Sequence, residues 1–425
     1  MSSPNKSDAV NNDTKSGMKK PLSLSQFATD LTPQQEFERT ASYTKDPTAY
    51  LQKILGSETF DKRKVLLCLP EKIDKDIYGG GEHKAHFQQH VAKLLGKDHG
   101  LFFITGVQAQ LAAMEVHCDR AGNNRVAWHI TSHLESFEEN AYDVLYGLER
   151  RLLGNDENEN PTVEEIKEVL SLSEDQRPAA MVLEIPSREL GCKTYSFADL
   201  EAISSACREA GVKLHCDGAR IWEIEPYYQE TAGKTFADIG KLFDTVYVSF
   251  YKGLRGPAGA MLVCNDDSFI SEAKKWQRRA GGTAFTLFYE VIDCERGYNE
   301  NIGTFDAKWK KMTEIVDAII PATASYKSRN GNPIISFLPE KPTCCQIRTI
   351  FQGYTADELV SARDRVVEKS NVMVFDRLWP KKPLDDDERR QSREWMVVQA
   401  LLETETKVFV DAYVALCEEL VAGGR

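Results

Sequence analysis

Short apolar runs alternate with longer amphipathic stretches from about residue 100 to about residue 300. The runs that have the length of a buried strand are residues 101–104, 126–130, 179–184, 212–217, 245–250 and 260–263. Apolar residues at helical spacing lie between some of these runs, through Leu111, Met114 and Val116 and again over residues 200–210. This alternation predicts βαβ units and an α/β fold, with three αβα layers built on a mostly parallel sheet.

The pattern changes beyond residue 306. Residues 334–338, 343–351, 372–375 and 394–402 predict strands of an antiparallel sheet, and residues 404–420 predict a final amphipathic helix. We therefore expect a large α/β domain over residues 41–310 and a smaller α+β domain over residues 311–425. Residues 1–40 are rich in Ser, Asn, Asp, Lys and Thr, which is typical of a mobile polar tail.

Composition excludes several classes of partner. The formal net charge of -12 argues against nucleic acid as the main ligand. Apolar runs fall short of the roughly 18 residues that a membrane helix needs, and the polar start of the chain lacks a signal core, so we expect a cytoplasmic protein. The ten cysteines are scattered and form no CxxC pair. That spacing predicts reduced thiols and no metal site.

One lysine stands out because of its local sequence. Lys252 follows the apolar run 245–250 and opens a glycine-rich turn, after which the run 260–263 begins. Gly and Pro residues in the turn prevent either run from continuing, so the amine is held at the mouth of the predicted sheet. A partly desolvated amine loses its proton easily and can form an imine with a carbonyl group. A lone lysine in a loop is more often an ordinary surface residue.

Further polar residues follow other predicted strands. Thr105 and Gly106 start a helix whose free amides suit a phosphate. Asp217 ends a later run, and His133 and Arg220 lie just beyond later runs. Each alone is more often a cap, a structural hydrogen-bonding residue or a salt-bridge residue. The carboxyl ends of parallel strands meet at one edge of a sheet, where ligands bind.

Together with the lysine, these groups match the needs of pyridoxal phosphate. The cofactor requires a lysine for its aldehyde, an anion site for its phosphate and a carboxylate for its ring nitrogen. An imidazole can stack on the ring and move a proton, and an arginine can hold an amino-acid carboxylate through two hydrogen bonds.

Two stretches also resemble a known family. HCDGARI at residues 215–221 and KGLRGPAG at residues 252–259 closely resemble signature stretches of the threonine aldolase family, in the β-eliminating lyase group. That family belongs to the aspartate-aminotransferase-like, fold type I pyridoxal-phosphate enzymes. Weaker matches occur in the same order along the chain, at residues 76–79, 105–110, His133 with Glu138, and 278–282.

The resemblance implies a role for each matched residue. Lys252 would carry the internal aldimine, Asp217 would hold the pyridinium nitrogen, and His133 would stack on the ring. For the reaction itself, we expect His133, or a water molecule that it orders, to act as the base. The phosphate would bind at the turn formed by Thr105, Gly106 and Val107.

The resemblance also implies how the substrate is held. Arg220 would bind the substrate carboxylate at the cofactor. A second arginine would come from the small domain, and Arg393 is the candidate with Arg348 as runner-up. Tyr78 would reach the site from its loop. The family assembles as homodimers or homotetramers with sites at subunit interfaces, so the same assembly is expected here.

The chain departs from the family pattern at several positions. Val107 stands where a Ser or Thr is common, and Tyr251 replaces the serine before the lysine. The histidine that follows the glutamate equivalent to Glu184 is missing. Thr283 and Phe285 replace the third glycine and the arginine after the Gly-Gly pair.

The expected activity is that of a lyase. We expect cleavage of a β-hydroxy-α-amino acid, such as L-threonine or L-allo-threonine, to glycine and an aldehyde. Two alternatives remain open. One is β-elimination or racemisation with the same cofactor, and the other is a catalytically silent relative kept as a binding or assembly protein.

Overall fold

Helices and strands alternate through the computed structural model, which describes residues 21–24, 31–380 and 390–423. The helices are α1 (Pro33–Lys45), α2 (Pro47–Leu55), α3 (Ser57–Arg63), α4 (Glu82–Leu94), α5 (Gly106–Ala121), α6 (His133–Ser136), α7 (Ala141–Val144), α8 (Val163–Leu170), α9 (Phe197–Ala210), α10 (Ile221–Ala232), α11 (Phe236–Lys241), α12 (Asp267–Arg279), α13 (Phe288–Asn301), α14 (Phe305–Thr323), α15 (Ala356–Ser370) and α16 (Thr406–Gly423). Among these described helices, none combines the length and the apolar composition that a membrane crossing requires.

The strands form a large central sheet and two smaller ones. They are β1 (Leu22–Ser23), β2 (His99–Phe103), β3 (Arg125–His129), β4 (Glu149–Leu153), β5 (Ala180–Glu184), β6 (Lys213–Gly218), β7 (Thr245–Ser249), β8 (Ala260–Cys264), β9 (Ile335–Leu338), β10 (Gln346–Gln352), β11 (Val372–Met373), β12 (Trp379–Pro380) and β13 (Arg390–Met396).

The central sheet runs in the order β2-β8-β7-β6-β5-β3-β4. Strand β8 is antiparallel to both of its neighbours, and the other paired strands of the sheet are parallel. The predicted α/β fold with a mostly parallel sheet is confirmed. Strand β4 escaped prediction because its sequence, ERRLL, carries charges on a largely exposed edge and lacks a continuous apolar run.

Helices cover both faces of this sheet. The buried side chains form two hydrophobic cores, one on each face. In β2, Phe102 packs in one core, while its neighbours Leu101 and Phe103 pack in the other. Met261 and Leu262 of β8 separate in the same way. Since successive side chains of a strand point to opposite faces, both faces are buried and the architecture has three layers.

The C-terminal part forms a second, antiparallel sheet in the order β12-β13-β10-β9, and α14 and α15 pack against α16. The strand predicted over residues 372–375 is not part of that sheet. Its residues Val372–Met373 form β11, which pairs in parallel with β1. Helix α14 runs without a break from Phe305 to Thr323, through the segment where the sequence predicts the domain boundary.

The expected polar tail ends earlier than residue 40. Helix α1 starts after Thr32, whose hydroxyl and the Gln35 side chain form a reciprocal capping box. Tyr43 anchors the helix, since its buried hydroxyl donates to Glu295 at 2.7 Å. The polar composition concealed this helix because little of it beyond Tyr43 is buried. Residues 1–20 and 25–30 of the predicted tail lie outside the described residues.

Trp222 on α10 provides a test of the core behind the sheet. Its indole donates to the Ser249 carbonyl at 2.9 Å, and its ring packs on Phe236, Phe250 and Tyr298. Trp222→Ala leaves a cavity there, so we expect the free energy of unfolding, measured in urea, to fall by about 3–5 kcal/mol. Trp379→Ala is the control at a half-exposed tryptophan and should cost less than about 1 kcal/mol. Equal losses in both variants would contradict the prediction.

Candidate active site

A cavity opens at the carboxyl ends of the central strands. Among the residues that line it are Val107, His133, Asp217, Arg220 and Lys252. Val107, His133 and Lys252 follow β2, β3 and β7, whereas Asp217 and Arg220 lie at the end of β6 and just after it. The parallel strands therefore bring these residues to one edge of the sheet. The structure therefore gathers five of the residues that the sequence singles out.

The turn after β7 holds Lys252 firmly. The Gly253 N–H donates to the Glu223 carboxylate at 3.2 Å, and a Cβ at Gly253 would lie 2.6 Å from that oxygen. Burial lowers the pKa of Lys252, and the charges of Arg220 and Arg188 lower it further against the opposing effect of Asp217. The neutral, nucleophilic form of the amine is thereby favoured.

Asp217 lies on β6 and is only 4% exposed. The Ala219 N–H donates to its Oδ1 at 3.0 Å, and the Gln110 side chain also hydrogen-bonds to the carboxylate. Burial raises the pKa of Asp217, whereas these hydrogen bonds and the charges of His133 and Lys252 oppose the rise. The carboxylate in turn raises the pKa of Lys252, as does the charge of Glu394.

Glu184 pairs with Asp217 across β5 and β6, as the two residues are partners in the strand register. Burial and the charge of Asp217 raise the pKa of Glu184 to about 7. The His133 N–H donates to Glu184 Oε1 at 2.5 Å. Because Asp217 is 33 residues from Glu184 along the chain, only the pairing of β5 with β6 brings the two carboxyl groups together.

His133 is oriented by Glu138. The Nδ1 atom of the ring lies 2.7 Å from Glu138 Oε1, which leaves Nε2 for other partners. Burial lowers the pKa of His133, but the hydrogen bond to Glu138 and the charge of Asp217 outweigh it, so the net pKa is raised. The ring therefore keeps a proton to higher pH than a free imidazole does.

Helix α5 begins at the turn for which the sequence predicts an anion site. Thr105 caps the helix by accepting from the Gln108 N–H at 3.3 Å, and Gly106 and Val107 follow at the first turn. A Cβ at Gly106 would lie 1.9 Å from the Tyr247 hydroxyl, so only glycine fits there. The Gly106 backbone also hydrogen-bonds to Tyr251, which places a phenol hydroxyl at the helix start.

Arg220 is fixed by an acidic partner. Its Nη1 lies 3.0 Å from Glu223 Oε1, the same oxygen that accepts from Gly253. Burial lowers the pKa of Arg220, but the charge of Glu223 outweighs this effect and holds the guanidinium in its charged form. One carboxylate thus orients both the arginine and the turn that carries the lysine.

Sequence reasoning missed Arg188, which also lines the cavity. Its Nε lies 3.1 Å from Glu394 Oε2 on β13. Arg348 joins the same cluster, with Nη2 3.1 Å from Glu189 Oε2 and 3.6 Å from Glu394 Oε2. Arg188 matches no motif of the family, because it lies in the segment after Glu184 that departs from the family pattern.

The structure does not bring Arg393 to this cavity. In the register of the small sheet, Arg348 is opposite Glu394, so their side chains share the face that points toward Arg188. Arg393 is one residue away and therefore lies on the other face, where its Nη2 is 2.7 Å from Asp376 Oδ1. The runner-up, Arg348, is the arginine of the small sheet that approaches the site.

Tyr78 lies apart from the cavity in this chain. The residue is 62% exposed, and its ring packs edge-on against Phe285 with centroids 5.4 Å apart. Its N–H donates to the Phe285 carbonyl at 2.8 Å. The loop presents an aromatic pair to solvent rather than to the cavity of its own chain.

Comparisons with known proteins agree with this geometry. The family model for beta-eliminating lyases matches residues 71–286. This range includes the residues from Val107 to Lys252 that line the cavity. A crystal structure from Listeria monocytogenes EGD-E, described as that of an L-allo-threonine aldolase, is 29% identical. It covers 94% of this chain and 97% of its own, with a TM-score of 0.75.

Two curated relatives differ in their named activities. Low-specificity L-threonine aldolase 1 of Arabidopsis thaliana is 26% identical over 52% of this chain and 61% of its own length. An alanine racemase of Cochliobolus carbonum is 25% identical over 52% of this chain and 55% of its own. The chain thus spans less than two thirds of these relatives. It belongs to the beta-eliminating lyase family, in the threonine aldolase group of fold type I pyridoxal-phosphate enzymes.

Proposed function

We propose that the protein cleaves the Cα–Cβ bond of a β-hydroxy-α-amino acid, such as L-threonine or L-allo-threonine, to give glycine and an aldehyde. One observation carries the proposal: Lys252, Asp217 and His133 line a single cavity, with Arg220 beside them. The names of the Arabidopsis and Listeria relatives support the same reaction class.

The cavity fits pyridoxal phosphate. Lys252 would hold the aldehyde carbon and Asp217 the ring nitrogen, while the start of α5 with the Tyr251 hydroxyl would hold the phosphate. The hydroxyl of Tyr251 would replace the one that a Ser or Thr at position 107 would offer to the phosphate and that Val107 lacks. Among the described residues, Gln110 Oε1 is buried without a hydrogen-bond partner, and Gln110 lines this cavity. An unsatisfied buried acceptor is costly, which is consistent with a ligand at this position.

The cofactor, Arg220 and His133 each have a separate role in the proposed reaction. When bound, the cofactor supplies an electron sink for the pair left on the substrate Cα. Arg220 binds the substrate carboxylate, and Glu223 holds the guanidinium in place. His133 takes the proton from the substrate β-hydroxyl at Nε2, because Nδ1 is bound to Glu138. As that oxygen becomes a carbonyl, the Cα–Cβ bond breaks and the aldehyde leaves. A proton then added at Cα completes glycine.

Racemisation or β-elimination is the second candidate. Where the family carries a histidine after the glutamate, this chain has Pro186 and Arg188, and both line the cavity. A reaction that moves only the Cα proton needs no base at the β-hydroxyl. The alanine racemase relative of Cochliobolus carbonum supports this alternative.

We also propose a homodimer or homotetramer as the working form. The exposed pair of Tyr78 and Phe285 supports this, since aromatic side chains are enriched at protein interfaces. Tyr78 would then act at the site of a neighbouring subunit. We also propose that the protein is cytoplasmic, as the sequence predicts.

Lys252→Ala tests the reaction and its class. We expect aldehyde release from L-threonine, L-allo-threonine or phenylserine to fall more than about 100-fold, because the amine is lost. Absorbance of the lysine-bound cofactor should vanish as well. Lys62→Ala, at a well-exposed lysine, should leave both unchanged. Wild-type protein that racemises alanine without releasing any aldehyde would favour the second candidate.

Glu138→Gln tests the base. Glu138 raises the pKa of His133, and the ring must be unprotonated to accept a proton, so kcat/KM should rise with pH through that raised pKa. Removing the carboxylate lowers the pKa, and the acid limb should shift about one unit to lower pH. Glu139→Gln, at the exposed neighbouring residue, is the control. An unshifted acid limb in Glu138→Gln would exclude His133 as the titrating base.

Gly106→Ala tests the phosphate site. The new Cβ would collide with the rigid ring of Tyr247, displacing the ring or the helix start. We expect the dissociation constant of the cofactor to rise at least about tenfold, equivalent to about 1.4 kcal/mol. A spectroscopic titration of the cofactor-free protein measures it. Gly423→Ala, whose Cβ on α16 would make only an ordinary contact with the Arg365 side chain at 3.6 Å, should bind normally. Normal binding by Gly106→Ala would place the phosphate elsewhere.

A further inference from the structure

Three side chains with metal-binding atoms converge on one point outside the active-site cavity. Cys68 lies in the segment after α3, His86 on α4 and Glu295 on α13, and their ligand atoms all lie within 4.8 Å of one another. Cys68 Sγ is 3.5 Å from His86 Nδ1 and 3.5 Å from Glu295 Oε2. Zinc bonds of about 2.0–2.3 Å in a tetrahedron separate ligand atoms by roughly 3.3–3.7 Å. The two measured distances lie in that range.

We propose that Cys68, His86 and Glu295 bind a zinc ion, with the fourth position open to solvent. A thiolate, an imidazole and a carboxylate form a donor set that suits zinc among the common divalent metals. The ring of His86 is exposed, which gives the ion a path of entry and a water molecule access to the fourth position. The cofactor and the reaction proposed above play no part in this site.

The donors are held in place by their neighbours. Asn299 fixes the Cys68 backbone on both sides, accepting from its N–H and donating to its carbonyl, each at 2.7 Å. Glu295 Oε1 accepts from Tyr43 at 2.7 Å, and His83 Nε2 lies 3.1 Å from Oε2. Such outer contacts orient the ligands of known metal sites.

Charge also favours a cation here. Cys68 and Glu295 are both 0% exposed, and the polar partners of Glu295 described above are a phenol, a thiol and an imidazole. Zinc bound by one thiolate and one carboxylate forms a neutral group. A neutral group is far less costly to bury than a lone carboxylate.

The ion would support the wall behind the catalytic lysine. Glu295 is on α13, and this helix packs against the turn that follows Lys252. A Cβ at Gly297 would lie 2.7 Å from the Leu254 carbonyl, and Asn301 donates to that carbonyl at 3.0 Å. Zinc would join α4 and the Cys68 segment to this helix, so its role would be structural.

Cobalt(II) is a suitable probe because tetrahedral cobalt absorbs at longer wavelengths than the cofactor. The full-length holoenzyme, freed of metal by a chelator, should bind one equivalent of cobalt with tetrahedral d–d bands, and zinc should displace it. Zinc should also raise the midpoint of thermal unfolding, since it binds the folded state. Absence of stoichiometric binding would overturn the proposal and leave the cluster as a hydrogen-bond network.

Matched variants localise the ion. His86→Ala removes an exposed ligand and should weaken cobalt binding at least about tenfold, whereas His99→Ala should bind normally. Cys68→Ser should abolish the thiolate-to-cobalt charge-transfer band, and Cys118→Ser, at another buried free cysteine, should retain it. Cobalt bound equally well by His86→Ala would exclude this site even if Cys68→Ser fails to fold.

Discussion

Buried acidic and basic groups surround one cavity, and the ionisation of each depends on its neighbours. Asp217 is 4% exposed and receives the Ala219 N–H at 3.0 Å, while the pKa of Lys252 is lowered by burial and by neighbouring arginines. A lone buried charge costs several kcal/mol, so each group depends on the others. The parallel pairing of β6 and β7 satisfies this need, because it delivers Asp217 and the lysine turn to the same sheet edge.

The elements around this cavity support it at different distances. Glu223 accepts from both Arg220 and Gly253, so one buried carboxylate orients this arginine and the lysine turn together. Behind that turn, α13 contacts the Leu254 carbonyl through Asn301. The proposed zinc site would hold the same helix from its far side. Rigid support of this kind keeps a reactive amine in one position through the reaction.

Much of the site could be predicted because its residues are marked locally. Asp217 ends an apolar run, Lys252 opens a glycine-rich turn, and Gly106 starts a helix after a strand, so each signal lies within a few residues. Elements that depend on partners elsewhere were harder to predict. Strand β4 is a charged edge strand without a continuous apolar run. The apolar run at residues 372–375 does predict a strand, but nothing in it indicates that β11 pairs with β1 rather than with the small sheet.

The sequence by itself determined the α/β fold, the order of the cofactor motifs and the residues that follow each central strand. Only the tertiary structure decided which distant groups meet. A one-residue shift on β13 turns Arg393 away and brings Glu394 to Arg188, since neighbouring strand residues face opposite sides. Cys68 meets residues 18 and 227 positions away, and no spacing rule covers ligands brought together by packing alone.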